Sequence, residues 1–238
     1  MGGERWNWIC ADAHLSDELP MRLYHFLNRE FGLDDIRHRR LKIATLNELN
    51  DPFEMLAMSF KDQTLRDAFR ATKEQMAQRF GLLCFSRSWH NPVQWSHYAD
   101  RHRGLCLQFE VRDDLAKPVT YTKARLAVDS TLIGGQGQDA EEFIQRAIST
   151  KFSHWRYEDE VRLFVRLEDR DEETGFWFKD FDADLRLTEV IVGVDSDASR
   201  NEIGDALGDV GDGVSLRKAR LSFRQFAVVT QLRGDMWS

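Results

Sequence analysis

The strongest constraint on the fold is the segment "GLLCFSRSWHNPVQWSHYADRHRGLCLQFEV" at residues 81–111. Two apolar runs, "LLCFS" and "LCLQFEV", bracket a polar stretch that opens on Asn91–Pro92 and closes on Gly104. Asn is a strong helix N-cap, Pro fits the first helical position and Gly ends a helix. The segment therefore predicts a strand, a helix over 91–102 and a second strand.

The flanking chain does not repeat that unit. "MRLYHFL" reads as a first strand, "GLDDIRHRR" as a short helix and "LKIATL" as a strand, while "NELNDPFEM" is a turn fixed by Pro52. Leu65, Phe69, Met76 and Phe80 follow helical spacing across 61–80. "PVTYT" predicts a short strand and "IGGQGQ" a loop. "DAEEFIQRAISTKFSHW" predicts one helix opened by Asp139 and Glu142 as a capping box. "EVRLFVRL" and "TEVIVGV" predict strands, "ASRNEIGDALGDV" a helix, and "VSLRKARL" and "RQFAVVTQL" two closing strands. Strands and helices mix without βαβ regularity, so the expected architecture is α+β with a mixed or antiparallel sheet. With no repeat, linker or low-complexity tract, it is one domain over 21–238 behind an N-terminal extension, 1–20, which carries "RWNWIC".

Several function classes recede on composition and motif. A formal charge of -7 gives no general attraction to nucleic-acid backbones, so "IRHRRLK" (Arg37, His38, Arg39, Arg40) is the one candidate basic patch. No run is apolar enough to span a membrane and no secretory signal is visible; with three irregularly spaced cysteines, Cys10, Cys84 and Cys106, a reduced, cytoplasmic protein is expected. A zinc site on Cys84, His90, His97, His102 and Cys106 lacks any C-x-x-C pair, and His97 and His102 stand off one helical face. No metal site is expected, and both thiols read as small buried hydrophobes. The G-x-S-x-G elbow, Walker loop, H-E-x-x-H and dinucleotide G-x-G-x-x-G patterns are absent.

Five segments carry a resemblance: an N-D-P-F turn at 50–53, "CFS" at 84–86, "WSHYA" at 95–99, "GLCLQF" at 104–109 and "WRYEDEVR" at 155–162. In this order they resemble a bacterial family of unknown function, some of whose relatives are described as abortive phage-resistance proteins, over roughly residues 21–230. The arrangement is also similar to the ADP-ribosyltransferase fold. "LYHF" is like the "YHG" opening of its histidine-bearing branch, with Phe26 in place of the usual Gly. "CFSRS" and the following helix match its hydroxyl-ended strand and aromatic helix, and "YEDEV" matches its E-x-E strand start.

That second likeness implies an NAD-consuming phage-defence or toxin enzyme that moves ADP-ribose to a macromolecule, protein or nucleic acid, or to water. Carried over residue by residue, Tyr24, His25 and Ser86 would bind NAD, with Tyr98 or Trp95 stacked on the nicotinamide. Glu160 would stabilise charge developing on the ribosyl carbon. Glu158, facing another way, would orient the acceptor. Residue by residue a plainer reading also stands: a core histidine, a strand end, and carboxylates paired with Arg156 or Arg162. Two alternatives remain: a nucleotide-binding sensor that uses the same cleft without turnover, and a metal-dependent nuclease or other hydrolase built on Asp51, Glu54, Glu158 and Glu160.

Overall fold

The computed structural model describes residues 19–51, 53, 58–59, 63–127, 138–211 and 213–237. Most of the N-terminal extension, with Trp6, Trp8 and Cys10, lies outside the described residues, as do Pro52, Glu54 and nearly all of "IGGQGQ". The first half of the chain runs β1 (Met21–Leu27), α1 (Arg29–His38), β2 (Arg40–Lys42), β3 (Ala44–Thr45), β4 (Met58–Ser59), α2 (Gln63–Ala77), β5 (Phe80–Ser86), α3 (Pro92–Tyr98) and β6 (Leu105–Val111). After these come β7 (Lys117–Pro118), β8 (Thr120–Thr122), β9 (Leu126–Ala127), α4 (Gln138–Ile148) and β10 (Thr150–Phe152). The chain closes with β11 (Glu160–Arg166), β12 (Phe178–Asp180), β13 (Leu185–Val192), α5 (Arg200–Leu207), β14 (Ser215–Leu221) and β15 (Val228–Thr230).

The main sheet has the order β15-β14-β13-β6-β1-β5-β11-β7, mostly antiparallel with β13 and β14 parallel. This is the expected α+β class. β1 pairs with β6 along its whole length, Met21 opposite Val111 through Leu27 opposite Leu105. β5 pairs with β11 from Phe80–Arg166 to Ser86–Glu160. Between these two tight ladders the sheet parts. β1 meets β5 only at Tyr24 and Ser86, and further along the same edge β3 takes over at Leu82 and Gly81. Gly81 permits that approach, since a Cβ there would lie 2.3 Å from the Ile43 side chain and 2.7 Å from the Ala44 carbonyl.

Alternation along the strands sorts the core into layers. Leu23, Leu83, Phe85, Leu105, Leu107, Phe109, Val161 and Leu163 face α1 and α5 in one continuous cluster. The opposite face is divided. Trp89, Trp95 and Ala99 pack over Cys106, Ile191, Ala219 and Val228. Phe69 and Met76 of α2 and Phe143 and Ile144 of α4 pack over Phe80 and Leu82.

Three expected boundaries shift. The helix beginning at Asn91 stops at Tyr98, because Asp100, Arg101 and His102 all take left-handed backbone (φ 43°, 54° and 70°). "LKIATL" is two strands, because the Ile43 amide turns aside to the Trp177 carbonyl at 2.8 Å. The helix expected through 155 ends at Ile148, and Thr150–Phe152 lies parallel to β8 instead. That last change decides where Lys151 points.

Candidate functional site

A cavity of about 230 Å3 opens where β1 and β5 part, between the two clusters on the divided face. It is reached by Tyr24, His25, Ser86, Tyr98, Glu158 and Glu160, which are six of the seven residues expected to form a site. The seventh is not on its wall. Trp95 is wholly buried beneath α3, its Nε1–H donating to the Trp89 carbonyl at 2.6 Å and its ring edge-on to Phe26. On a short helix with Tyr98 turned to the cavity, the residue three positions earlier is drawn into the core by its larger apolar surface.

His25 fills the gap between the parted strands. Its Nδ1 lies 2.7 Å from the Cys84 carbonyl and its ring 5.5 Å from that of Phe85. Burial lowers its pKa, so the ring is neutral; a nitrogen facing a carbonyl carries the proton, which leaves Nε2 as an acceptor. The Ser86 hydroxyl is fully engaged: it donates to the Ser88 carbonyl and accepts from the Ser88 amide and from Gln94 Nε2. These bonds join β5 to α3.

The floor is ionic. Lys151 Nζ lies 2.7 Å from Glu158 Oε2 and 3.2 Å from Glu160 Oε2. Arg162 grips Glu160 from the same strand, Nε to Oε1 at 2.8 Å and Nη2 to Oε2 at 3.0 Å. All four side chains are buried. The Tyr98 hydroxyl donates to Glu158 Oε1 in a short hydrogen bond and accepts from Asn50 Nδ2 at 2.6 Å. Burial works to raise both carboxyl pKa values. For Glu160 the Arg162 and Lys151 charges outweigh it and hold the group at about 2; for Glu158, gripped by Lys151 alone, burial wins and the pKa rises.

The two carboxylates do not face different directions as expected, since both reach the Lys151 ammonium. Residues two apart share a face within a strand, but Glu158 lies before β11, at the end of a 3₁₀ turn, and the left-handed Asp159 (φ 44°) joins it to Glu160. Arg162 makes the pairing foreseen for it. Arg156 does not, lying instead against the Tyr121 ring and carbonyl.

Lys151 and Gln94 are the residues that the sequence reading misses. Gln94 Nε2 donates to the carbonyls of Tyr157 and Glu158 at 3.0 and 2.6 Å, which fixes the amide's orientation. Its Oε1 is buried without a partner among the described residues, on a side chain that lines the cavity. Local sequence does not single Gln94 out, since its helical neighbours Asn91, His97 and Tyr98 are polar too.

Other candidate groups disperse. His90 bonds the Val228 carbonyl, His97 the Tyr157 hydroxyl, and His102 stacks on Trp95. Burial pushes the Cys84 and Cys106 thiols far up, as inert packed groups require. Asp51 is absent from the cavity wall, Glu54 lies outside the described residues, and among the described residues no three His, Cys, Asp or Glu side chains form a ligand group. Arg40 of the basic segment is tied to Asp171 and Phe178, and His38 to Asp34. No helix among the described residues is long and apolar enough to cross a membrane. No family model, curated protein or solved structure matches the chain.

Proposed function

We propose that the protein is an ADP-ribosyltransferase-like enzyme that consumes NAD and passes ADP-ribose to a macromolecule or water, as a phage-defence or toxin activity would require. The observation that supports this reading is the convergence of Tyr24, His25, Tyr98, Glu158 and Glu160, from segments far apart in sequence, on one cavity at the parting of the sheet. The lining suits the nicotinamide end of the dinucleotide. Gln94 Oε1 is a buried acceptor awaiting a donor, and a carboxamide N–H is one. The volume, below the about 300–1,000 Å3 of pockets for drug-sized ligands, admits that end and leaves the adenosine end outside.

When bound, NAD supplies a ribosyl carbon that gains positive charge as its bond to nicotinamide lengthens. Glu160 is the fixed negative charge that favours such a centre. A carboxylate offers about four acceptor positions. Arg162 and Lys151 fill three on Glu160 and the Cys84 thiol donates to the carboxylate as well, so a ribose hydroxyl would take the place of that weak S–H donor. Glu158 has two contacts and a raised pKa, which suits it to take a proton from an acceptor. The Tyr98 ring forms the aromatic wall.

The test is nicotinamide release from NAD, with and without cell extract as acceptor, for the wild type and Glu158→Gln. Release that falls at least about a hundredfold in the variant while an NAD-induced thermal shift persists supports the enzyme. A thermal shift without release in the wild type favours the sensor alternative. Neither release nor shift sinks NAD chemistry altogether. Glu160→Gln is a poorer probe, because it removes the carboxylate charge that the buried Arg162 faces, a break in a buried pair that costs about 3–5 kcal/mol.

A further inference from the structure

A second cavity, about 280 Å3, lies on the far side of β10 among Phe53, Lys123, Arg125, Lys151 and Phe152. We infer that it is a nucleotide site, holding an aromatic base against phenylalanine and a phosphate against arginine and lysine. The pairing of β10 with β8 sets Phe152 beside Thr122, so the turn that follows β8 brings Lys123 and Arg125 to the rim. Among the described residues no carboxylate lines this wall, in a chain whose 40 acidic residues outnumber its 33 Lys and Arg. An acid-free cationic rim on an acidic protein selects for an anion.

The aromatic component is equally specific. Phe53 and Phe152 are 49% and 40% exposed, and both lie on the same cavity. The Arg125 guanidinium sits 5.0 Å from the Phe53 ring, placing a planar cation and an aromatic face side by side. Inorganic phosphate would leave both rings in water, and an apolar ligand would bury the cations unpaired. A nucleotide answers both, since base stacking on an aromatic ring and phosphate binding by arginine are independent contributions. The Lys151 ammonium is already turned to Glu158 and Glu160, so Lys123 and Arg125 supply the phosphate charge. The inference stands apart from NAD turnover, and its readout does not depend on nicotinamide release.

Calorimetric titration of the full chain with AMP, ribose 5-phosphate and adenosine tests it, alongside a 5′-phosphorylated oligonucleotide. AMP should bind about tenfold or more tightly than either fragment. Arg125→Glu should weaken AMP by about tenfold or more. Phe152→Ala should weaken AMP and leave ribose 5-phosphate unchanged. Both side chains are exposed enough for the variants to fold, which circular dichroism verifies. Tighter binding of the oligonucleotide than of AMP assigns the site to nucleic-acid strands, and equal binding assigns it to the free mononucleotide. AMP that binds no better than ribose 5-phosphate, or that is indifferent to Arg125→Glu, overturns the inference.

Discussion

Replacing Lys151 with Met removes the one cation that Glu158 and Glu160 share. Both contacts, at 2.7 and 3.2 Å, join side chains less than a tenth exposed. Methionine keeps most of the side-chain volume, so packing changes little. Arg162 still neutralises Glu160, whereas Glu158 keeps only its hydrogen bond from Tyr98 among the contacts described here. Removing one partner of a buried pair costs about 3–5 kcal/mol, against about 1 or less for an exposed pair. Burial already raises the Glu158 pKa and Lys151 opposes the rise, so in the variant the pKa climbs further. A carboxyl whose folded pKa exceeds its unfolded value binds more protons when folded. Its contribution to stability is therefore complete below pH 4.5, the ordinary glutamate value, and lost as pH rises through the folded pKa. Each pH unit within that window is worth about 1.4 kcal/mol. The assay is urea unfolding followed by tryptophan fluorescence between pH 5 and 8. With a slope near 3 kcal/mol/M, the upper end for small proteins, the midpoint should fall by roughly 1–1.7 M at pH 8. The gap to the wild type should narrow towards pH 5. A fall below about 0.3 M at pH 8 (under 1 kcal/mol at that slope), or a gap equal at both ends of the range, would refute a shared buried cation.

Three further outcomes are expected. Gly104→Ala should destabilise by about 3 kcal/mol or more in the same urea assay, because its Cβ would lie 2.0 Å from the Leu27 carbonyl, backbone that cannot yield without moving β1. Asp35 is buried in α1, and burial with the nearby Asp34 charge raises its pKa to about 8 against the opposing pull of Arg40. Its contribution is full below the unfolded value near 3.8 and lost as pH rises towards 8, so Asp35→Asn should flatten the loss of stability between pH 5 and 8; an unchanged pH slope would count against it. Trp95→Phe should cost about 1–3 kcal/mol through the lost bond to the Trp89 carbonyl and the smaller ring. If the proposed turnover is present, that variant should retain it, and selective loss of NAD affinity in a folded protein would return Trp95 to the ligand.

Local signals carried most of the element order. Asn91 and Pro92 mark the start of α3 by backbone chemistry alone, although Gly104 lies six residues past its end, and the alternation from Glu160 to Arg166 marks a strand. What did not show was anything set by pairing across distance. The break at Ile43 depends on a carbonyl at Trp177, and Lys151 lies in a strand because Thr120–Thr122 runs beside it. Helical spacing in "FIQRAISTKFSHW" continues past Ile148 with no local residue to stop it. The sequence therefore hid the lysine that organises both glutamates. Gln94 was hidden for a related reason, since its value as an unmet acceptor arises only when its amide nitrogen is tied to β11's approach.

The parting between β1 and β5 also bears on how the chain can be divided. In space it separates β15-β14-β13-β6-β1 from β3, β5, β11 and β7. Along the chain it separates nothing, because the backbone crosses between β1 and β3, between β5 and β6, between β6 and β7, and again between β11 and β13. No single cut leaves either half contiguous. A cut between β6 and β7 gives two fragments that each hold strands from both halves, so they should regain order only when mixed, as complementing pieces, and neither should yield a stable truncated domain.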